Sequence, residues 1–163
     1  MAALTLHNFQ RQTQPPEGYF SNLLAAAAVR MRQRAPAHMP LQILVVEDHG
    51  DTRRTLTELL GHFGHSISAA DTVKSAMAFL TAKRFDAVVS DVALPDGSGY
   101  DLIREAKRCQ QLIGVALTGE DRDEDIRRGR EAGFDFHLSK PIDFSELRGV
   151  LEQMAGAPES AAV

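Results

Sequence analysis

Ile43-Leu44-Val45-Val46-Glu47-Asp48 is the stretch on which the fold of this chain turns. Four apolar residues in a row show no alternation of wet and dry faces. A strand built from them is covered on both sides, which is the mark of a parallel sheet. Working outward, the same kind of short run returns as Ser66-Ile67-Ser68-Ala69, Ala87-Val88-Val89, Leu112 to Leu117 and Phe134 to Leu138. Helical candidates fall between and after them, near 51–63, 72–82, 98–109, 122–132 and 143–154. Five βα units predict a doubly wound α/β domain over 41–155, a parallel sheet of order 2-1-3-4-5 with helices on both faces.

The flanks read differently. Residues 1–40 are punctuated by Pro15-Pro16, Pro36 and Pro40, and Asn22 to Arg34 is rich in strong helix formers behind Ser21, a suitable N-cap. We expect an N-terminal arm with one helix there, and a frayed, disordered tail over 156–163. Leu23, Leu24, Ala27 and Met31 place a narrow apolar stripe on the arm helix, which needs cover and makes a homodimer one expectation. The arm carries four Arg and one acid, a balance of +3, against 14 bases and 21 acids, a balance of -7, in the rest.

Composition narrows the function classes. The 163 residues are 44% apolar and 25% charged, which suits a soluble globular protein and excludes fibrous or wholly disordered chains. A net charge of -4 gives no bulk attraction for nucleic acid. The single cysteine, Cys109, excludes an internal disulfide or a cysteine-based zinc cluster. The longest apolar run, Leu23 to Val29, has seven residues where a membrane span needs about 20. With no membrane segment and no signal peptide read, the expected location is cytoplasmic.

In an open parallel sheet the working crevice lies beyond the carboxyl ends of the strands. The first strand exits into Glu47-Asp48, the third through Ser90 into Asp91, the fourth at Thr118, and the fifth through Ser139 into Lys140-Pro141. An acid after a strand is ordinarily a cap or a turn residue. Three acids gathered at one sheet edge would repel one another unless something positive sits between them. Mg2+, a hard cation with oxygen ligands, fits that place, and Lys140 adds a fixed ammonium. Such a pocket suits a phosphoryl group on Asp91, with the carboxylate as nucleophile.

Four stretches carry a resemblance: Ile43-Leu44-Val45-Val46-Glu47-Asp48, Val88 to Gly99, Ala116-Leu117-Thr118-Gly119 and Leu138-Ser139-Lys140-Pro141. In this order and spacing they resemble the response-regulator receiver domain of two-component signalling, with its flavodoxin-like (βα)5 fold. The resemblance implies that Asp91 accepts a phosphoryl group from a phosphohistidine of a sensor histidine kinase or a histidine phosphotransfer protein. It implies a Mg2+ site of Glu47, Asp48, Asp91 and the carbonyl of Ala93. Thr118 and Lys140 would touch the phosphoryl oxygens, and the peptide bond before Pro141 would be cis. Thr118, His137 and Pro141 would belong to the switch that passes the signal to a downstream protein. His137 stands where many receivers have Tyr or Phe. The chain would then be a signalling phosphoacceptor and not an enzyme beyond its own phosphorylation and dephosphorylation, with no output domain in these residues. The Asp96-Gly97-Ser98-Gly99 and His137-to-Asp143 segments also look like receivers fused to hybrid histidine kinases, so a fragment of a larger kinase is an alternative.

Other readings are weaker. An aspartate-nucleophile phosphatase needs a second acid two residues after the nucleophile, and Ala93 stands there. A flavodoxin-like cofactor binder would meet repulsion from Glu47 and Asp48 at its phosphate. His62 and His65 have metal-like spacing but sit in a glycine-flanked turn. Gly97-x-Gly99 lacks the third glycine of a dinucleotide loop. Cys109 reads as a small packing residue and the charges from Glu120 to Arg130 as a solvated face or, equally, a docking surface.

Overall fold

The computed structural model describes residues 40–119 and 123–156, all within the compact unit Ala37–Val163. Residues 1–39 of the expected arm and 157–163 of the expected tail lie outside the described residues, and Gly156, placed in the tail, closes the last helix instead. Along the chain run β1 (Gln42–Val46), α1 (Gly50–His62), β2 (Ser66–Ala70), α2 (Val73–Ala82) and β3 (Ala87–Asp91). Then come β4 (Ala93–Leu94), β5 (Gly97–Ser98), α3 (Gly99–Cys109), β6 (Ile113–Thr118), α4 (Asp123–Ala132), β7 (Phe136–Ser139) and α5 (Phe144–Gly156). The five long strands are all parallel and lie in the order β2-β1-β3-β6-β7. Counting only long strands, that is the expected 2-1-3-4-5.

The apolar runs explain the layers. Leu44, Val46, Val88 and Ala116 join Ala76 and Leu80 of α2 and Leu102, Ile103 and Ala106 of α3 in one core. Their strand neighbours Ile43, Val45, Val89, Val115 and Leu117 point to the other face and are equally buried. Local chemistry starts the helices. Thr72 and Ser75 form a capping box on α2, and the Ser98 hydroxyl accepts from the Tyr100 amide at the head of α3.

Two features escaped the sequence. Ala93–Leu94 and Gly97–Ser98 pair as a small antiparallel hairpin around Pro95-Asp96. Asp96 then reaches across to α2, where its oxygens accept from the Val73 and Lys74 amides at 2.7 and 2.9 Å. Cys109 is exposed, which corrects the packing reading. The inward place at the end of α3 goes to Gln110, which accepts from the Phe85 amide and donates to the carbonyls of Leu80 and Lys83.

Candidate functional site

Register builds the site. Val46 pairs with Ser90 and Asp91 with Leu117, so Glu47, Asp91 and Thr118 stand at neighbouring strand ends. Thr118 in turn pairs with Ser139, which delivers Lys140. The Lys140 amide donates to the Thr118 carbonyl at 2.7 Å, and the bond to Pro141 is cis. The sheet thus gathers the acids, the hydroxyl and the ammonium that the strand exits promised.

Asp91 is 7% exposed. Its Oδ1 accepts from the Ala93 amide at 3.0 Å, and its Oδ2 from Lys140 Nζ at 2.5 Å. The same ammonium lies 2.9 Å from Oε2 of Glu47, whose side chain is fully buried. That contact is an ion pair without hydrogen-bond alignment, and Oε2 keeps no hydrogen bond. Lys140 therefore supplies the positive charge that the first and third strand exits need. Burial weakens its ammonium, but the hydrogen bond to Asp91 and the negative charges of Asp91 and Glu47 outweigh this and raise its pKa. Thr118 is buried beside them.

Asp91 also explains Gly99. A Cβ on Gly99 would sit 2.2 Å from the Asp91 carbonyl oxygen, so only glycine lets the head of α3 approach the end of β3. The Gly99 amide closes that approach on the Val92 carbonyl at 2.9 Å.

Two further residues belong here that sequence reasoning missed. His49 Nδ1 lies 2.8 Å from Asp48 Oδ1 and 3.3 Å from Glu47 Oε1. Each of Glu47, Asp48 and His49 offers a ligand atom within 4.8 Å of the others. Bonding and charge from Asp48 raise the His49 pKa. Burial opposes ionisation of Asp48, yet the bond and charge of His49 prevail and lower its pKa. Arg53, one turn into α1, donates to the carbonyls of Glu47 and Asp48 and fixes the backbone that presents both acids. The signal was available for His49, which directly follows the acids; for Arg53 it was not. His137 lies away from the acids, half-buried on β7 against Phe134.

Among the described residues no helix is long and apolar enough to cross a membrane. His62 and His65 each turn Nδ1 toward a backbone group. His62 Nδ1 lies 3.1 Å from the Glu58 carbonyl oxygen, and His65 Nδ1 accepts from the Leu41 amide.

Comparison with known proteins agrees with this geometry. The chain is 36% identical over 116 residues to an uncharacterized 14.6 kDa protein of Leptolyngbya boryana, covering 69% of this chain and 88% of that one. It is 33% identical over 132 residues to the sensor histidine kinase RcsC of Salmonella typhi, covering 80% of this chain but only 14% of the kinase. Among solved structures it matches the non-phosphorylated HemR receiver domain of Leptospira biflexa at a TM-score of 0.69 and 30% identity, over 76% of this chain and all of that one. The receiver domain of the Pseudomonas aeruginosa sensor histidine kinase PA1611, with a magnesium ion in its active-site cleft, matches at 0.65 and 26%, over 73% and 100%. The model of the response regulator receiver domain matches residues 43–152. With the sheet order, the buried Asp91 and its Lys140 partner in place, the chain belongs to the response-regulator receiver domain family.

Proposed function

We propose that this chain is a phosphoacceptor in which Asp91 takes a phosphoryl group from a phosphohistidine, with Mg2+, and signals through altered protein contacts. The observation that carries the reading is the environment of Asp91. A carboxylate 7% exposed at a strand end, held between the Lys140 ammonium and the Ala93 amide and beside a second buried acid, is costly to assemble for stability alone.

The residues fit the metal. Glu47, Asp48 and Asp91 against Lys140 leave three negative charges to one positive, a balance of -2. The donors are hard oxygens, and buried Glu47 Oε2 has no hydrogen bond. Glu47, Asp48, Asp91 and the Ala93 carbonyl would hold Mg2+. Bound there, the ion supplies charge neutralisation at the phosphoryl oxygens. In the transfer, an Asp91 oxygen forms the new P–O bond as the P–N bond of the phosphohistidine breaks. The bonding pair returns to the departing imidazole nitrogen. The Lys140 ammonium exchanges part of its contact with Asp91 for a phosphoryl oxygen, and the Thr118 hydroxyl serves another. The partner is a sensor histidine kinase or a phosphotransfer protein, and the response is read by a downstream protein in the cytoplasm.

On this reading the chain turns over no separate substrate. Ala93, two residues past Asp91, offers no general acid, and this argues against a phosphomonoester phosphatase. The match to 14% of RcsC supports a second setting for the same chemistry, as the receiver of a hybrid kinase; the size of the protein in cells decides between the two.

The test is labelling by acetyl phosphate. Wild type should take label with Mg2+ and none in EDTA, and Asp91→Asn should fold and take none. Label on Asp91→Asn, label in EDTA, or steady hydrolysis of a phosphomonoester would each overturn the proposal.

A further inference from the structure

The start of α2 is capped from two places. A helix leaves its first amides without partners in the helix itself. Thr72 and Ser75 serve each other: the Thr72 amide donates to Ser75 Oγ and the Ser75 amide to Thr72 Oγ1, both at 3.2 Å. The two amides between them, Val73 and Lys74, donate to Asp96 Oδ1 and Oδ2 at 2.7 and 2.9 Å. Every amide from Thr72 to Ser75 is thus satisfied, half of them by a carboxylate 22 or 23 residues further on. The Lys74 and Val73 amides lower the Asp96 pKa, so a charged carboxylate meets the positive end of the helix.

The helix does not need that reach. Asp96 is exposed, and water could serve the same amides. The loop does need it. Ala93–Leu94 and Gly97–Ser98 pair by two residues on each side, and a hairpin so short does not hold itself. Its tip lies against α2, where a Cβ on Gly97 would stand 3.2 Å from Val73 Cγ2. Both legs of the hairpin run to Asp91. On one, the Ala93 amide donates to Asp91 Oδ1 at 3.0 Å. On the other, the Gly99 backbone abuts the Asp91 carbonyl in a place closed to any Cβ.

We propose that Asp96 is a positioning residue for Asp91: by capping α2 from across the fold it clamps the β4–β5 hairpin, and the clamped hairpin holds the Ala93 backbone against the Asp91 carboxylate. The clamp acts on both sides of Ala93. The amide fixes one oxygen of Asp91, and the carbonyl is the backbone ligand assigned above to Mg2+. The consequence for the metal rests on the phosphoacceptor reading; the clamp itself rests on the hydrogen bonds. With the clamp gone, binding the ion must also order the hairpin, and that cost weakens affinity.

The test compares Asp96→Ala with Thr72→Ala in the full chain. Both remove part of the α2 cap, but only the first frees the hairpin. NMR well below the melting temperature reads amide hydrogen exchange and, by titration, Mg2+ affinity. Asp96→Ala should speed exchange of the Ala93 and Gly99 amides and weaken Mg2+ binding, each by about tenfold. Thr72→Ala should lower the melting temperature and leave both readouts at their wild-type values. Asp96→Asn keeps one acceptor oxygen for two amides and should fall between wild type and Asp96→Ala. It takes the place of Asp96→Ala in the comparison if the alanine variant folds poorly. Wild-type exchange at Ala93 and Gly99 in a folded Asp96 variant would overturn the clamp, as would equal changes in the Asp96 and Thr72 variants. Faster exchange with undiminished Mg2+ affinity would overturn the positioning role. A wild-type protein that binds no Mg2+ overturns the metal assignment instead, and the exchange rates then decide the clamp alone.

Discussion

Lys140→Met removes the ammonium that bridges two buried acids while keeping an unbranched side chain of similar reach. In the native pocket Nζ stands 2.5 Å from Asp91 and 2.9 Å from Glu47, whose side chains are 9% and 0% exposed. Taking one partner out of a buried pair leaves an uncompensated charge and costs on the order of 3–5 kcal/mol. Lys140 keeps 26% of its side chain in solvent, so water can soften the loss, and the lower end of that range is the expectation. A loss of about 3 kcal/mol lowers the melting temperature of a domain this size by about 10–15 °C.

The sign with pH follows from the carboxylates left behind. Without Lys140, two buried acids lose their counter-charge, and burial penalises only their charged forms. The deficit is therefore smaller in acid, where carboxylates gain protons, than at neutral pH, where they are charged. Wild type behaves otherwise. Its Lys140 pKa is raised, so that contribution is complete below the ordinary value of 10.5 and is lost only as pH climbs through the folded value. Urea melts of both proteins at pH 4 and 7.5, with EDTA or Mg2+, measure all of this. Mg2+ should stabilise the variant more than wild type, since the ion then meets the acids without a competing ammonium. Asp91→Asn in the Lys140→Met background should recover about half the loss, because one of the two orphaned charges is gone. A deficit under about 1 kcal/mol at pH 7.5, or one that does not change with pH, would refute the pairing as the pocket's source of charge balance.

Three further outcomes are expected. Gln110→Leu should cost about 2–4 kcal/mol in urea melts at unchanged m-value, because it orphans the Phe85 amide and the carbonyls of Leu80 and Lys83 at a 6% exposed site. The amides of Val73 and Lys74 lower the pKa of Asp96, so its contribution is present above the ordinary 3.8 and lost as pH falls through the folded value. The urea midpoints of wild type and Asp96→Ala should accordingly differ at pH 6 and converge in strong acid. The His137 pKa is lowered, so wild type should lose stability as pH falls from 6.5 toward the folded value; His49, with a raised pKa, contributes the opposite slope, lost as pH rises through its own folded value. Melts of His137→Phe and His49→Asn from pH 5 to 8 should separate the two slopes.

What the sequence made legible and what it concealed divide along a physical line. Runs such as Ile43 to Val46 and Ala87 to Val89 specify a strand and its covered faces in one dimension. A parallel sheet then brings every strand exit to one edge, so Glu47, Asp91, Thr118 and Lys140 could be placed together before any distance was known. Features that depend on a contact across the fold left no such trace. The hairpin of Ala93 to Ser98 is two residues on each side, too short for a period to show. Gln110 looks like an ordinary polar helix end until Phe85, Leu80 and Lys83 surround it. Arg53 reads as a surface charge, yet it holds the backbone carrying both acids. Gly129 and His137 each look mildly unfavourable alone, one in a run of charged helix and the other in a strand. Their fit exists only in three dimensions, where a missing side chain and a ring occupy the same space. Local rules broken singly are noise in a sequence; two broken in complementary ways at one contact are explained by the fold that brings them together.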